Sequence, residues 1–309
     1  MRVRHILFCL LLIVATAACT QRREEIFSNV NMVWNRHTPA AVIFHMHATS
    51  GGMAQTQKLE IKFRTPKSDE EMLESLTAEE IDTALLTEAQ ALILLNANPT
   101  WRIIADLGPT TPLAILSRET DSWRERREWV NFAGLAGQVL LAYWMTQNNI
   151  DFSALTMHEA LPLSSPAGNT GATLLQLACT PLDRQSATQA ALQTVAAIPQ
   201  RLLLLGKAEY IKNHPQGVER ILLAWDKSLQ HFRDHAADPL PNLADQMHTD
   251  VDYLRKLLED YPLPSASETA AACARHFPAD VHRTLEEMAK AGKERGLLRR
   301  SFNPREAIP

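Results

Sequence analysis

Short apolar runs of strand length alternate with stretches of helical period along most of this chain, and that alternation admits few folds. An all-helical bundle has no use for the strand runs, and an all-β fold has none for the helices. The class that remains is α/β, with sheet flanked by helices.

The first strand is expected over Val30 to Trp34, followed by the turn Asn35-Arg36-His37-Thr38-Pro39 and a helix from Ala40 to about Ala48, stopped by Gly51-Gly52. Leu59 to Arg64 alternates apolar and charged residues as a half-buried strand does. Ser68-Asp69-Glu70-Glu71 reads as a helix start leading into Met72, Leu73 and Leu76. Ile81 to Leu86 is a further strand, and Thr87-Glu88 begins a helix through Ala91 and Leu95. Two strands are expected at Arg102 to Leu107 and Pro112 to Ser117, then a charged segment from Arg118 to Glu128. Val130 to Phe132 reads as a short strand, Ala133 to Gly137 as a tight loop, and Gln138 to Asn148 as an apolar helix. Thr156 to Leu161 is the next strand, and Ser164 to Gly171 has loop composition. After the apolar run Arg201 to Leu205, the residues Val218, Ile221, Leu222, Trp225, Leu229 and Phe232 mark one face of a long helix. The remainder is helical, broken near Pro239, Pro262 and Pro278.

The compartment is written in the first residues. Arg2 and Arg4 precede an apolar run from Ile6 to Ala18, too short to span a bilayer and of the form of an export signal. Thr16-Ala17-Ala18-Cys19 resembles a lipoprotein-processing site, in which cleavage precedes Cys19 and its thiol is lipidated. Residues 1–18 are thus expected to be a signal peptide and 19–27 a tether. Removing the signal takes away two arginines and moves the net charge from −4 to 29 − 35 = −6. A mildly acidic chain without a polybasic block does not suit nucleic acid, whose binding rests on clustered Lys and Arg. Of the four cysteines, Cys179 and Cys273 remain after Cys9 leaves and Cys19 is lipidated, and their spacing has no metal-ligand pattern. Whether they pair is left open by the sequence.

Sharper chemistry finds little purchase. His45 and His47, two positions apart on a helix, diverge by about 200° and do not share one ion readily. His231 and His235 sit one turn apart but without an accompanying carboxylate motif, and a solvated helix face accounts for them. There is no nucleophile elbow, phosphate-cradling loop or zinc signature, so neither metal nor cofactor is expected and the chain does not read as an enzyme.

Several segments then match in order. Val33-Trp34-Asn35-Arg36-His37-Thr38-Pro39, Glu79-Glu80-Ile81-Asp82-Thr83-Ala84-Leu85, Thr87-Glu88, Ala133-Gly134-Leu135-Ala136-Gly137-Gln138, Ala208-Glu209-Tyr210-Ile211-Lys212-Asn213-His214-Pro215 and Gly296-Leu297-Leu298 together resemble the solute-binding family of ABC importers that includes nitrate-, taurine-, sulfonate- and thiamine-precursor-binding proteins. The resemblance spans most of residues 28 to 302. It implies a two-lobed, type II-like periplasmic binding protein, each lobe a small mixed sheet flanked by helices, with a helical C-terminal region. Lobe 1 would comprise 28–116 and 203–309, and lobe 2 would comprise 117–202. By position, Trp34, His37, Thr38, Thr87 and Glu88 of lobe 1 and Gly137 and Gln138 of lobe 2 would line the ligand cleft. Trp34 is equally readable as core, and Glu88 as a carboxylate at a helix start. The partners implied are a small-molecule solute, an ABC permease and, through the N-terminal lipid, a membrane. One departure stands out: Pro181-Leu182-Asp183-Arg184-Gln185 lacks the aromatic-Glu-Pro turn usual there. That suggests a rewired second lobe and a competing role as a sensor or protein-interaction module without transport.

Overall fold

The computed structural model describes residues 27–50, 52–66, 69–77, 80–117, 128–131, 134–151, 156–159, 175–178, 193–235, 239–300 and 307–308. The signal, Cys19, Cys179 and the Pro181–Gln185 segment lie outside them. Among the described residues no helix is long and apolar enough to cross a membrane.

Eight strands form a single mixed sheet in the order β2-β1-β3-β8-β4-β7-β5-β6. They are β1 (Ser28–Trp34), β2 (Leu59–Arg64), β3 (Thr83–Thr87), β4 (Trp101–Ser117), β5 (Glu128–Asn131), β6 (Thr156–Glu159), β7 (Leu175–Ala178) and β8 (Gln193–Lys207). The helices among the described residues are α1 (Pro39–Thr49), α2 (Met53–Thr56), α3 (Asp69–Thr77), α4 (Glu88–Ala97), α5 (Gly134–Gln147), α6 (Ala208–Asn213), α7 (Pro215–Asp234), α8 (Leu240–Gln246), α9 (Val251–Asp260), α10 (Ala266–Cys273) and α11 (Ala279–Glu294).

Two long antiparallel strands, β4 and β8, make the sheet one body with two ends. β3 pairs with the end of β8, Thr83 opposite Gly206 and Thr87 opposite Leu202. β7 pairs with the far end of β4, Ala114 opposite Ala178, where β4 itself faces Ala197 to Thr194. The parallel strands β1, β2 and β3 therefore complete one half, and the parallel strands β5, β6 and β7 the other. The small mixed sheet expected of each lobe is present as two mixed halves that share a ribbon. The ribbon's register shifts between Asp106 and Pro109 and again between Thr110 and Leu113, so its middle is bulged and the ladder locally interrupted.

The structure also corrects several expectations. Arg102–Leu107 and Pro112–Ser117 are one strand, because Gly108 and Pro109 sit in a bulge that β8 pairs across and do not end the strand. The stretch after Gly134 is helix and not loop. Gly134 takes φ +59°, which turns the chain at once, and Leu135, Ala136 and Gly137 are already helical. The strand foreseen at Arg201–Leu205 begins eight residues earlier, and β7 has no counterpart in the sequence reading.

α7 carries the expected face: Val218, Ile221, Leu222, Trp225, Leu229 and Phe232 are all buried, each stabilising the fold by on the order of 2 kcal/mol. That face packs on α1 and Leu202 and Leu204 of β8 in one core cluster. The opposite face of the sheet receives α3, α4 and α11 through Met72, Leu94 and Leu285. A third cluster joins Leu92 of α4 to Leu140 of α5 and Met288 of α11, so these helices bridge the two halves.

Candidate functional site

Because β1 and β3 are parallel neighbours, the turns that follow them emerge at the same end of the sheet. In open α/β sheets the crevice beyond such carboxyl ends is where ligands bind. Asn35 follows β1, and its backbone N–H donates to the Leu85 carbonyl of β3 at 3.0 Å. The Asn35 side chain then holds the turn in both directions. Its Oδ1 accepts the His37 backbone N–H at 2.7 Å, and its Nδ2 donates to Gln90 Oε1 at 2.8 Å. The same Gln90 oxygen accepts the Thr87 backbone N–H at 3.2 Å and the Thr87 hydroxyl at 3.3 Å. One amide oxygen on α4 thereby ties the β1 turn to the β3 turn.

Two helices begin here. Thr38 caps α1 in extended geometry without a side-chain cap bond, its hydroxyl donating instead to the Asn35 carbonyl at 3.4 Å. Pro39 opens α1 and has no N–H to satisfy. Thr87 caps α4 in a capping box with Gln90. Helix starts present backbone N–H groups and a positive dipole end, which suit anionic or polar ligand groups. His37, half-buried between them, has its pKa lowered to about 4 by burial and by the adjacent Arg36, so it is a neutral imidazole at physiological pH.

The other expected residues divide. Trp34 is buried: its indole N–H donates to Thr65 Oγ1 at 2.8 Å, and its ring stacks on His45 at 4.3 Å and 8°. Phe63 meets both rings edge-on. Glu88 is buried at the first position of α4, and its Oε2 makes no hydrogen bond among the described residues. Burial pushes its pKa up to about 8 despite the attraction of Arg201, with Asp106 and Asp280 adding to the rise. Gly137 is buried inside α5 and Gln138 is half-buried on it, in the second half of the molecule. Sequence reasoning missed Asn35 and Gln90 as the link between the two turns. Their 55-residue separation leaves no local signal, although a Gln three residues after a Thr cap is a capping-box mark.

Two histidines outside the turn bond backbone carbonyls. His47 Nδ1 bonds the Ser228 carbonyl at 3.0 Å, and His235 Nδ1 the His231 carbonyl at 3.1 Å. Among the described residues no group of three or more His, Cys, Asp or Glu is placed to hold a metal ion. Cys273 donates its Sγ–H to the Leu222 carbonyl at 3.5 Å.

No family model matches the chain, and no curated protein matches it significantly in sequence. Solved structures do match it over nearly its full length. The periplasmic aliphatic sulphonate binding protein SsuA from Escherichia coli superposes with a TM-score of 0.73 at 14% identity, covering 91% of this chain and 97% of its own. The alkanesulfonate-binding protein SsuA from Xanthomonas axonopodis pv. citri, bound to MOPS, gives 0.65 at 13% identity over 91% and 98%. The periplasmic nitrate-binding protein NrtA from Synechocystis PCC 6803 gives 0.55 at 12% identity over 90% and 92%. With the mixed sheet, the two crossing strands and the helix starts gathered at the strand ends, these likenesses show that the chain has the fold of the periplasmic binding proteins, the fold of sulfonate- and nitrate-binding components of ABC-type importers.

Proposed function

We propose that this chain is an extracytoplasmic solute-binding protein, lipid-anchored through Cys19, that delivers a small polar molecule to the permease of an ABC importer. The observation that carries the reading is the pair of turns after β1 and β3, tied by Asn35 and Gln90 and backed by the starts of α1 and α4. Lobe 1 comprises 28–116 and 203–309, and lobe 2 comprises 117–202. His37, Thr38 and Thr87 contact the solute from lobe 1, and Gln138 and the backbone near Gly137 from lobe 2. Trp34 walls the turn from the core side, and Glu88 acts from the start of α4. The role is binding and not catalysis: closure of the lobes by hinge motion presents the loaded form to the permease on the periplasmic face of the membrane.

The test is a thermal-shift screen of the purified protein against sulfonates, nitrate, pyrimidines and amines. A ligand that binds only the folded state must raise the melting temperature, by about 2.7 kcal/mol of stabilisation at a hundredfold excess over Kd. At least one solute should raise it, and His37→Ala should weaken that rise. A screen in which nothing shifts the transition overturns the reading.

A further inference from the structure

Where the β4–β8 ladder breaks, the molecule gathers charges that the solute turns do not use. Asp106 on β4 is buried, and Arg201 on β8 clasps it, Nε at 3.0 Å from both carboxylate oxygens and Nη2 at 2.6 Å from Oδ2. Asp106 Oδ1 also accepts the backbone N–H of Gly108 at 3.0 Å, in the bulge itself. Arg201 stands opposite Pro109, so this ion pair spans the register shift between Asp106 and Pro109. Thr87 pairs with Leu202, the residue after Arg201, so Glu88 follows at this end of the ribbon; it is 3% exposed, with an orphan Oε2.

These groups belong to different parts of the body. Glu88 opens α4, which follows β3 in the first half. Tyr143, whose ionisation Glu88 opposes, sits on α5 in the second half, near Thr284, Arg283 and Glu287 of α11. The charged groups acting on Glu88 are Arg201 on β8, Asp106 on β4 and Asp280 at the start of α11. One cation thus faces three carboxylates, and its Nε and Nη2 are already engaged by Asp106. A buried carboxyl with an unbonded oxygen is tolerated as a neutral acid and resisted as an anion, because removing a charge from water without a partner is far more costly than removing a neutral group. Ala89 and Leu92 of α4 share a core cluster with Val139 and Leu140 of α5, so a change in the angle between the halves moves α5 against the start of α4 and changes how well Glu88 is sheltered.

We propose that Glu88 is a proton-operated latch on the hinge: in its acid form it lies sheltered at the start of α4 and favours the arrangement described, and on losing its proton to solvent it favours an arrangement that admits water or Arg201 to it. This regulates the opening of the proposed binding cleft. It rests on the two-lobed reading but needs no knowledge of the solute. Protonation and hinge angle are linked, so each biases the other.

The experiment is electron–electron distance measurement on the lipidated chain in detergent, with Cys179 and Cys273 changed to serine and Cys19 kept, and with spin labels introduced at Glu219→Cys on α7 and Asn148→Cys after α5, both exposed. Between pH 6 and pH 9.5 the interspin distribution should move, with a midpoint near the Glu88 value of about 8. Glu88→Gln should hold it at the pH 6 position throughout, and Glu88→Ala, as a second variant, should also abolish the pH dependence. A distribution that does not move with pH overturns the proposal, as does a movement that persists unchanged in Glu88→Gln. If a solute found in the thermal screen moves the distribution while pH does not, the latch fails and the binding reading stands. If neither does, the hinge itself fails.

Discussion

Replacing Glu88 by Gln keeps shape and removes the ionisable proton, and its effect on stability can be worked out from the site. The Glu88 carboxyl has a folded-state pKa of about 8 against an ordinary 4.5. Below pH 4.5 both the folded and the unfolded chain carry the proton, and the group imposes no penalty. Between the two values the unfolded chain has released the proton while the folded one retains it, so stability falls as pH rises, by about 1.4 kcal/mol per unit. The penalty reaches about 3 kcal/mol at pH 7 and levels near 5 kcal/mol above pH 8. Glutamine has no such dependence. Urea unfolding of the native chain and Glu88→Gln at half-unit steps from pH 4 to 9 should give curves whose difference opens from pH 4.5 in favour of the variant and flattens above pH 8. Parallel curves across that range would refute the buried, sheltered carboxyl, and with it the physical basis of the latch.

Two further outcomes follow from the geometry. Gln90→Leu strips one acceptor from the Asn35 amide, the Thr87 hydroxyl and the Thr87 N–H, and should destabilise by about 1–3 kcal/mol, whereas Gln90→Glu, which keeps an acceptor oxygen, should lose less by chemical denaturation. Gly108→Ala places a Cβ 3.0 Å from Pro264 Cβ at a φ of +102°, and should lower stability by about 1–3 kcal/mol or more, readable as a drop in melting temperature.

What the sequence makes legible is whatever repeats locally. The amphipathic face of α7 and the alternation of β2 announce themselves because each residue's burial follows from its neighbours a turn or a pleat away. Thr87 is legible for the same reason, since capping is settled within four residues. The two strands expected at Arg102–Leu107 and Pro112–Ser117 are one because Pro109 between them pairs with Arg201, far along the chain. The glycine pattern near residue 135 misleads because one left-handed glycine completes the turn and releases the rest to helix. Trp34 is packed by the stack on His45 and the bond to Thr65, neither of which its own segment reveals. Glu88 reads in its own segment as a cleft residue or a carboxylate at a helix start, and its burial near Arg201 and Asp106 comes from strands far along the chain.

The crossing ribbon has a consequence for biogenesis. β3 has no partner on its far side until Leu202 to Gly206 exist, so the strands made first wait through most of translation with an open, apolar edge. Pairings of such long sequence separation form slowly, and exposed edges invite mispairing with other chains. A chain truncated anywhere before β8 therefore leaves the apolar edge of β3 unpaired, open to mispairing with other chains.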